Sequence, residues 1–183
     1  MNSYIINEDH LDKPLISFII ASYNVSESLE RCLKSIIEQS LENFEVLIIN
    51  DKSTDNTLEI AQSFAKKDKK NRIKVISHLR NRGLAAVRNT GFLASRGKYI
   101  WHIDGDDYLG YKHAVKFISQ IFEKENVPVI KVGVFSELNE NDFIKAHPEN
   151  NEELDLSYEI SNPSSLLYKN GLGGVFGYIF RKD

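Results

Sequence analysis

Three aspartates, Asp104, Asp106 and Asp107, fall within the segment WHIDGDD at 101–107. Crowding acids so closely is electrostatically unfavourable unless a cation lies among them. Hard divalent ions such as Mg2+ or Mn2+ take oxygen ligands, draw one or two carboxylates from a protein and complete their shells with water and substrate phosphates. The triplet therefore points to Mn2+ or Mg2+ held against a diphosphate. Gly105 allows a tight turn and close approach of a ligand. Asp107 either touches the ion or orients the loop. The plain alternative is an acidic turn that ends a strand, and the position of the segment in the chain decides between the two.

That position follows from the elements around it. Short β-branched runs, LISFII at 15–20, EVLII at 45–49, IKVI at 73–76, YIWHI at 99–103 and VIKVGV at 129–134, are apolar nearly throughout, as strands covered on both faces are. Between the first two, Leu29, Leu33, Ile36 and Ile37 recur at helical spacing. Leu58, Ala61 and Ala65 do so in the next segment, with Ser53 or Thr54 as the expected N-cap. Further helices are expected over about 83–95 and 112–124. Strands alternating with helices require a mostly parallel sheet with right-handed crossovers and helices on both faces, an α/β architecture. In such sheets ligands gather outside the carboxyl ends of the strands. The acidic triplet follows the fourth strand, which favours the phosphate-bound metal over the simple turn.

The other strand ends carry weaker signals. After the first comes Ala21-Ser22-Tyr23-Asn24, where Tyr23 either offers a flat face to a nucleobase or packs over the sheet edge. After the second comes Asn50-Asp51-Lys52-Ser53, where Asp51 either accepts hydrogen bonds from a base N–H or caps a turn. The third leads to Arg80-Asn81-Arg82-Gly83 and a helix bearing Arg88, whose guanidinium suits phosphate or carboxylate if it is not simply solvated. By strand alternation His102 shares a face with Ile100 and Asp104. It reads as a hydrogen-bonded core histidine and not as a metal ligand.

Composition narrows the class. The 183 residues suit one domain, here 15–183 behind an N-terminal extension at 1–14, and 42% hydrophobic content suffices for one core. A formal net charge of -3 and the lack of a strongly basic block argue against a nucleic-acid partner. The single cysteine, Cys32, excludes a disulfide framework and fits a reducing cytoplasm. No apolar run approaches the roughly 20 residues of a spanning helix, although a membrane anchor or peripheral membrane association through further regions stays open. After about Ser136 the chain turns acidic and irregular, as a solvated excursion does. PSSLLY and GGVFGYIF then offer strands for the sheet edge.

Taken in order, SFIIASYNVSESLERCLKSIIEQS, FEVLIINDKSTDNT, NRGLAAVRNTGFLASRGKYI and HIDGDDYL closely resemble the nucleotide-binding half of the family 2 glycosyltransferases, which have the GT-A fold. The resemblance covers about Leu15 to Leu109, leaving 110–183 as the start of an acceptor-side half. It implies that Ala21, Tyr23, Asp51 and Ser53 surround the base and ribose, with Asp51 facing the pyrimidine ring. It further implies that Arg88 borders the donor pocket, that Asp104 and Asp106 form the DxD pair with Gly105 between them, Asp104 toward the ribose or sugar and Asp106 on the metal with Asp104 beside it, and that Asn81, Gly83, Asn89 and Gly91 shape the loop and helix. The implied reaction transfers a hexose or N-acetylhexosamine from a UDP-sugar, with inversion, to a saccharide or lipid-linked acceptor of a surface polysaccharide. The resemblance also implies that the Asp or Glu base activating the acceptor follows the segment GGVFGYIFRKD and so lies beyond Asp183, which makes the chain read as a fragment of a longer enzyme. Two other readings are a nucleotide-binding module without turnover and a nucleotidyltransferase. The latter is opposed by the lack of a Gly-rich loop with a following lysine near the first strand.

Overall fold

A computed structural model describes residues 13–110, 112–125, 128–131 and 178–182. Four parallel strands form its centre: β1 (Ile16–Ser22), β2 (Phe44–Asn50), β3 (Ile73–Ser77) and β4 (Tyr99–Asp104). Helices α1 (Leu29–Ile37), α2 (Thr57–Lys67) and α3 (Leu84–Ala94) connect them, and α4 (Ala114–Glu125) leads to β5 (Val129–Lys131), with β6 (Tyr178–Arg181) last. The order across the sheet is β3-β2-β1-β4-β6-β5.

Strand alternation sends side chains to two cores. Phe18, Ile20, Val46, Ile48, Tyr99, Trp101 and Ile103 face Leu29, Leu33 and Ile36 of α1, Ala61 of α2 and Val115 and Ile118 of α4. Ile19, Leu47, Ile49 and Ile100 face the other way, onto Val87 of α3. The sheet is therefore covered on both sides, which is why its central strands are apolar at successive positions. Among the described residues no helix is long and apolar enough to cross a membrane. Cys32 is fully buried, and burial followed by the nearby Asp107 and Asp106 charges pushes its thiol up to about 12, so it packs as a neutral group.

Two expectations need correction. The apolar pattern puts the end of the chain at the sheet edge, but β6 lies between β4 and β5 and is antiparallel to both, with Ile179 fully buried. An apolar strand accepts an interior slot because both ladders then satisfy its backbone. The PSSLLY segment, the acidic stretch, and residues 132–134 lie outside the described residues, as does the N-terminal extension up to residue 12. Asp183, the position past which the general base is expected, also lies outside them.

The second correction concerns the start of α2. Neither Ser53 nor Thr54 caps it: Asn24 donates its backbone N–H to Ser53 Oγ at 3.2 Å, and its side-chain oxygen accepts the Thr54 N–H at 2.8 Å. Asn56 stands at the N-cap without a side-chain cap bond, and Asp55 just before it meets the helix start instead, accepting the backbone N–H of Thr57 at 3.0 Å and of Ser26 at 3.1 Å. Burial opposes its ionisation, but hydrogen bonds from Thr57 and Ser26 win and bring the carboxyl to about 2. Asp55→Ala should therefore lower stability by about 1–2 kcal/mol in denaturant titrations at neutral pH. Because the folded value lies below the ordinary 3.8, this contribution is complete above that value and disappears as pH falls through about 2. The variant and the wild type should thus converge in acid.

Candidate donor-binding site

The in-register parallel ladders bring the strand ends to one edge, with Ser22 opposite Asn50, Asn50 opposite Ser77, and Ala21 opposite Asp104. A cleft of about 280 Å3 opens there, lined by Ala21, Tyr23, Asp51, Asp104 and Asp106 together with Ser22, Val25, Asn81, Gly83, Leu84 and Val87. Five of the expected site residues thus meet in one cavity. A larger groove along α1, lined by Glu27, Glu30, Arg31 and Lys34, contains none of them.

At one end stands the acidic turn. Asp104 ends β4 and meets Arg88 of α3 at 3.5 Å. Burial raises its pKa above the usual carboxylate range, Arg88 pulls it back, and Asp106 pushes it up again. Asp107 is raised by burial and then by both neighbours. The three acids therefore repel one another as the sequence suggested. Gly105 has no room for a side chain: a Cβ there would meet Val25 Cγ2 at 2.9 Å and the Ala21 carbonyl oxygen at 3.0 Å, and its N–H donates to that carbonyl at 2.8 Å. This close seating holds the turn against the end of β1. The Arg31 guanidinium lies 4.5 Å from the centre of the Tyr108 ring and donates to the Asp106 carbonyl at 3.4 Å, bracing the turn from outside.

Mn2+ or Mg2+ fits these residues. Among the described residues no three His, Cys, Asp or Glu side chains converge into a complete metal cage, but ions of this class need only one or two protein carboxylates when a diphosphate supplies the rest. Arg88 Nε is buried without a hydrogen-bond partner among the described residues, so the guanidinium retains a donor that Asp104 does not use.

Elsewhere in the lining Tyr23 is 47% exposed. Asp51 is buried and heavily engaged. Its Oδ1 receives His78 Nδ1 at 2.6 Å and the Arg82 N–H at 2.9 Å, and its Oδ2 receives the Arg82 N–H at 3.0 Å and the Gly83 N–H at 2.7 Å. Burial opposes ionisation, yet His78 and the two amides hold the carboxyl below its ordinary range. Ser53 sits behind the lining, donating to Asn50 Oδ1 at 2.6 Å.

His102 is a core residue, as strand alternation implies, but the expected hydrogen bond is lacking at Nδ1, which is buried without a partner among the described residues. Its ring packs near Phe180 at 5.6 Å, and burial followed by the Arg88 charge lowers it to about 4. The residue that the sequence pattern does not single out is His78. It follows β3 directly, so its place at a strand end is the signal that could have found it, ahead of Arg80–Gly83.

Known proteins share this fold. S. aureus TarS 1–349, solved in complex with UDP-GlcNAc, has a TM-score of 0.59 and 25% identity over 68% of this chain and 37% of that one. The mannosyltransferase PcManGT from Pyrobaculum calidifontis, solved with GDP-Man and Mn2+, has a TM-score of 0.61 at 21% identity, over 73% and 38% of the respective chains, a likeness of fold. The uncharacterized glycosyltransferase EpsJ of Bacillus subtilis (strain 168) is 46% identical over 96 residues, 52% of this chain and 27% of EpsJ. The poly(ribitol-phosphate) beta-glucosyltransferase of Bacillus spizizenii is 31% identical over 144 residues, 77% of this chain and 22% of that protein. The chain thus spans about a quarter of these two relatives' length. The family model for glycosyl transferase family 2 matches residues 17–180, and with a GT-A sheet beneath its strand-end cleft, the chain belongs to that family.

Proposed function

We propose that the cleft binds the nucleotide-sugar donor of a metal-dependent, inverting glycosyltransferase, with a UDP-hexose or UDP-N-acetylhexosamine as donor and a saccharide or lipid-linked acceptor of a surface polysaccharide. The reaction belongs on the cytoplasmic side, where nucleotide-sugars are used. One observation carries the reading: a single cleft is lined by an exposed Tyr23, a clamped Asp51 and the carboxylates of Asp104 and Asp106, and Asp104 meets the partly unsatisfied Arg88. A nucleoside diphosphate needs both a base site and a phosphate site. Asp106, with Asp104 beside it, holds the divalent ion, which when bound neutralises charge developing on the departing diphosphate. Arg88 faces the same negative charge, and Gly105 keeps the turn close against β1. Tyr23 stacks the base, while Ala21 and Ser53 shape the ribose end.

The test is a thermal-shift panel of UDP, GDP, CMP and dTDP, each with Mn2+, Mg2+ or a chelator. A ligand bound only by the folded state raises apparent stability by mass action. UDP with metal should give the largest rise, and chelation should remove most of it. A response equal for all four nucleotides, or indifferent to metal, is incompatible with the reading.

A further inference from the structure

Asp51, His78 and Thr90 form a chain of hydrogen bonds, buried at Asp51–His78 and part-buried at His78–Thr90, that joins the cleft to the helix carrying Arg88. His78 Nδ1 lies 2.6 Å from Asp51 Oδ1, and its Nε2 lies 2.8 Å from Thr90 Oγ1. His78 is 8% exposed, and its own backbone N–H donates to the Asn50 carbonyl at 2.9 Å, which fixes it to the end of β2. An ionised carboxylate only accepts, so Nδ1 carries the proton, while Nε2 faces the Thr90 hydroxyl, which can donate or accept. Thr90 sits on α3 two residues beyond Arg88, whose guanidinium meets Asp104 at the metal end.

Three donors make the four contacts to Asp51, two on each oxygen: Oδ1 has His78 and one branch of the Arg82 N–H, and Oδ2 has Gly83 and the other branch. A carboxylate offers about four acceptor sites, so with three donors bound Asp51, which lines the cleft, keeps the capacity to meet one further donor. That capacity depends on the carboxylate keeping its present rotation. The two amides come from the loop before α3, and only His78 ties the group both to a strand end and to the helix.

We infer that His78 is a positioning residue for base recognition: through the Thr90–His78–Asp51 chain it sets the Asp51 carboxylate so that it accepts an N–H from the base, and it couples that acceptor to the helix bearing Arg88. This rests on the donor-site reading above. A pyrimidine presenting a ring N–H, as uracil does, is accepted; one presenting a bare ring nitrogen at the same edge, as cytosine does, meets acceptor against acceptor and is rejected. His78 does not touch the donor and acts wholly through Asp51.

The experiment measures binding of UDP, CDP and pyrophosphate, each with Mn2+, by calorimetry to the full chain and to variants verified by circular dichroism. His78→Ala should weaken UDP at least about tenfold, since it removes a hydrogen bond to a charged group, and bring UDP and CDP affinities together, while pyrophosphate binding stays within about twofold. Thr90→Val keeps the β-branched shape without the hydroxyl and should shift the UDP-to-CDP preference in the same direction by about fivefold; it serves even if His78→Ala does not fold. The conservative replacements separate the two links. His78→Asn places an N–H near the Nδ1 position and should restore much of the preference, whereas His78→Gln reaches only toward Thr90 and should not. An unchanged UDP-to-CDP ratio in Thr90→Val and His78→Gln, or equal weakening of all three ligands, overturns the inference while leaving the donor site standing. If the wild type binds no UDP, the donor reading itself fails, and this inference with it.

Discussion

Substituting Asp106 by alanine is expected to abolish the Mn2+-dependent stabilisation of the chain by UDP while leaving the free protein at least as stable as the wild type. The two halves of this result have opposite physical origins. In the free protein Asp106 is exposed and raises the pKa of both Asp104 and Asp107 through its charge. Removing it relieves repulsion and deletes no side-chain hydrogen bond, so stability holds or rises slightly. With metal and UDP the same carboxylate becomes a direct ligand, and losing it should weaken UDP by about 100-fold, roughly 2.7 kcal/mol.

Mass action converts this into an observable. At a UDP concentration of about 100 times Kd, the wild type gains about 2.7 kcal/mol. For a chain of this size that is roughly 5–11 °C in Tm. A 100-fold weaker variant at the same concentration gains about 0.4 kcal/mol, or roughly 1 °C. Asp106→Asn should behave like the alanine variant, because charge and not size is at issue. Asp104→Ala should differ in the free state: it deprives the part-buried Arg88 of its counter-charge and should lower stability before any ligand is added. A UDP response in Asp106→Ala that matches the wild type would remove Asp106 from the metal site.

The contrast between these aspartates shows which parts of the site a sequence discloses. The first four strands were readable because burial on both faces leaves continuous β-branched runs, and Asp104 and Asp106 stood out because their spacing is local and lies at a strand end. β6 was not readable as an interior strand. Its partners Tyr99, Ile100 and Trp101 lie far away in the chain, and a short apolar run is compatible with an edge or an interior slot alike. The cap of α2 was misplaced for a related reason: Ser53 and Thr54 have the right chemistry, but Asn24, about 30 residues earlier, engages both and leaves Asp55 to meet the helix. His78 illustrates the same limit at the site itself. A lone histidine after a strand has little meaning until folding sets Asp51 against one ring nitrogen and Thr90 against the other.

Gly91→Ala offers the second large effect, because it opposes a known gain to a steric loss. Within a helix, alanine exceeds glycine by about 0.8–1.0 kcal/mol in intrinsic preference, so the substitution on a free helix stabilises. Gly91 is buried within α3 against β1, where a Cβ would fall 2.2 Å from Ile19 Cγ2 and 3.1 Å from its Cγ1 and Cδ1. Carbon atoms pack at about 3.5–4.0 Å. Ile19 is fully buried and stiff at χ1, so relief requires α3 to retreat from the sheet. Overpacking of this kind costs about 1–3 kcal/mol, and the balance should be a net loss of up to about 2 kcal/mol in denaturant titrations. The mechanism predicts a sign reversal. Ile19→Ala alone should cost about 2–5 kcal/mol, but adding Gly91→Ala to it should recover stability, since the clash is gone, the new methyl fills part of the cavity and the helical preference is realised. Additive losses would show that close approach to Ile19 is not what requires the glycine. Because α3 also carries Arg88 and Thr90, its retreat in the single variant should weaken UDP binding as well, even though Gly91 does not line the cleft.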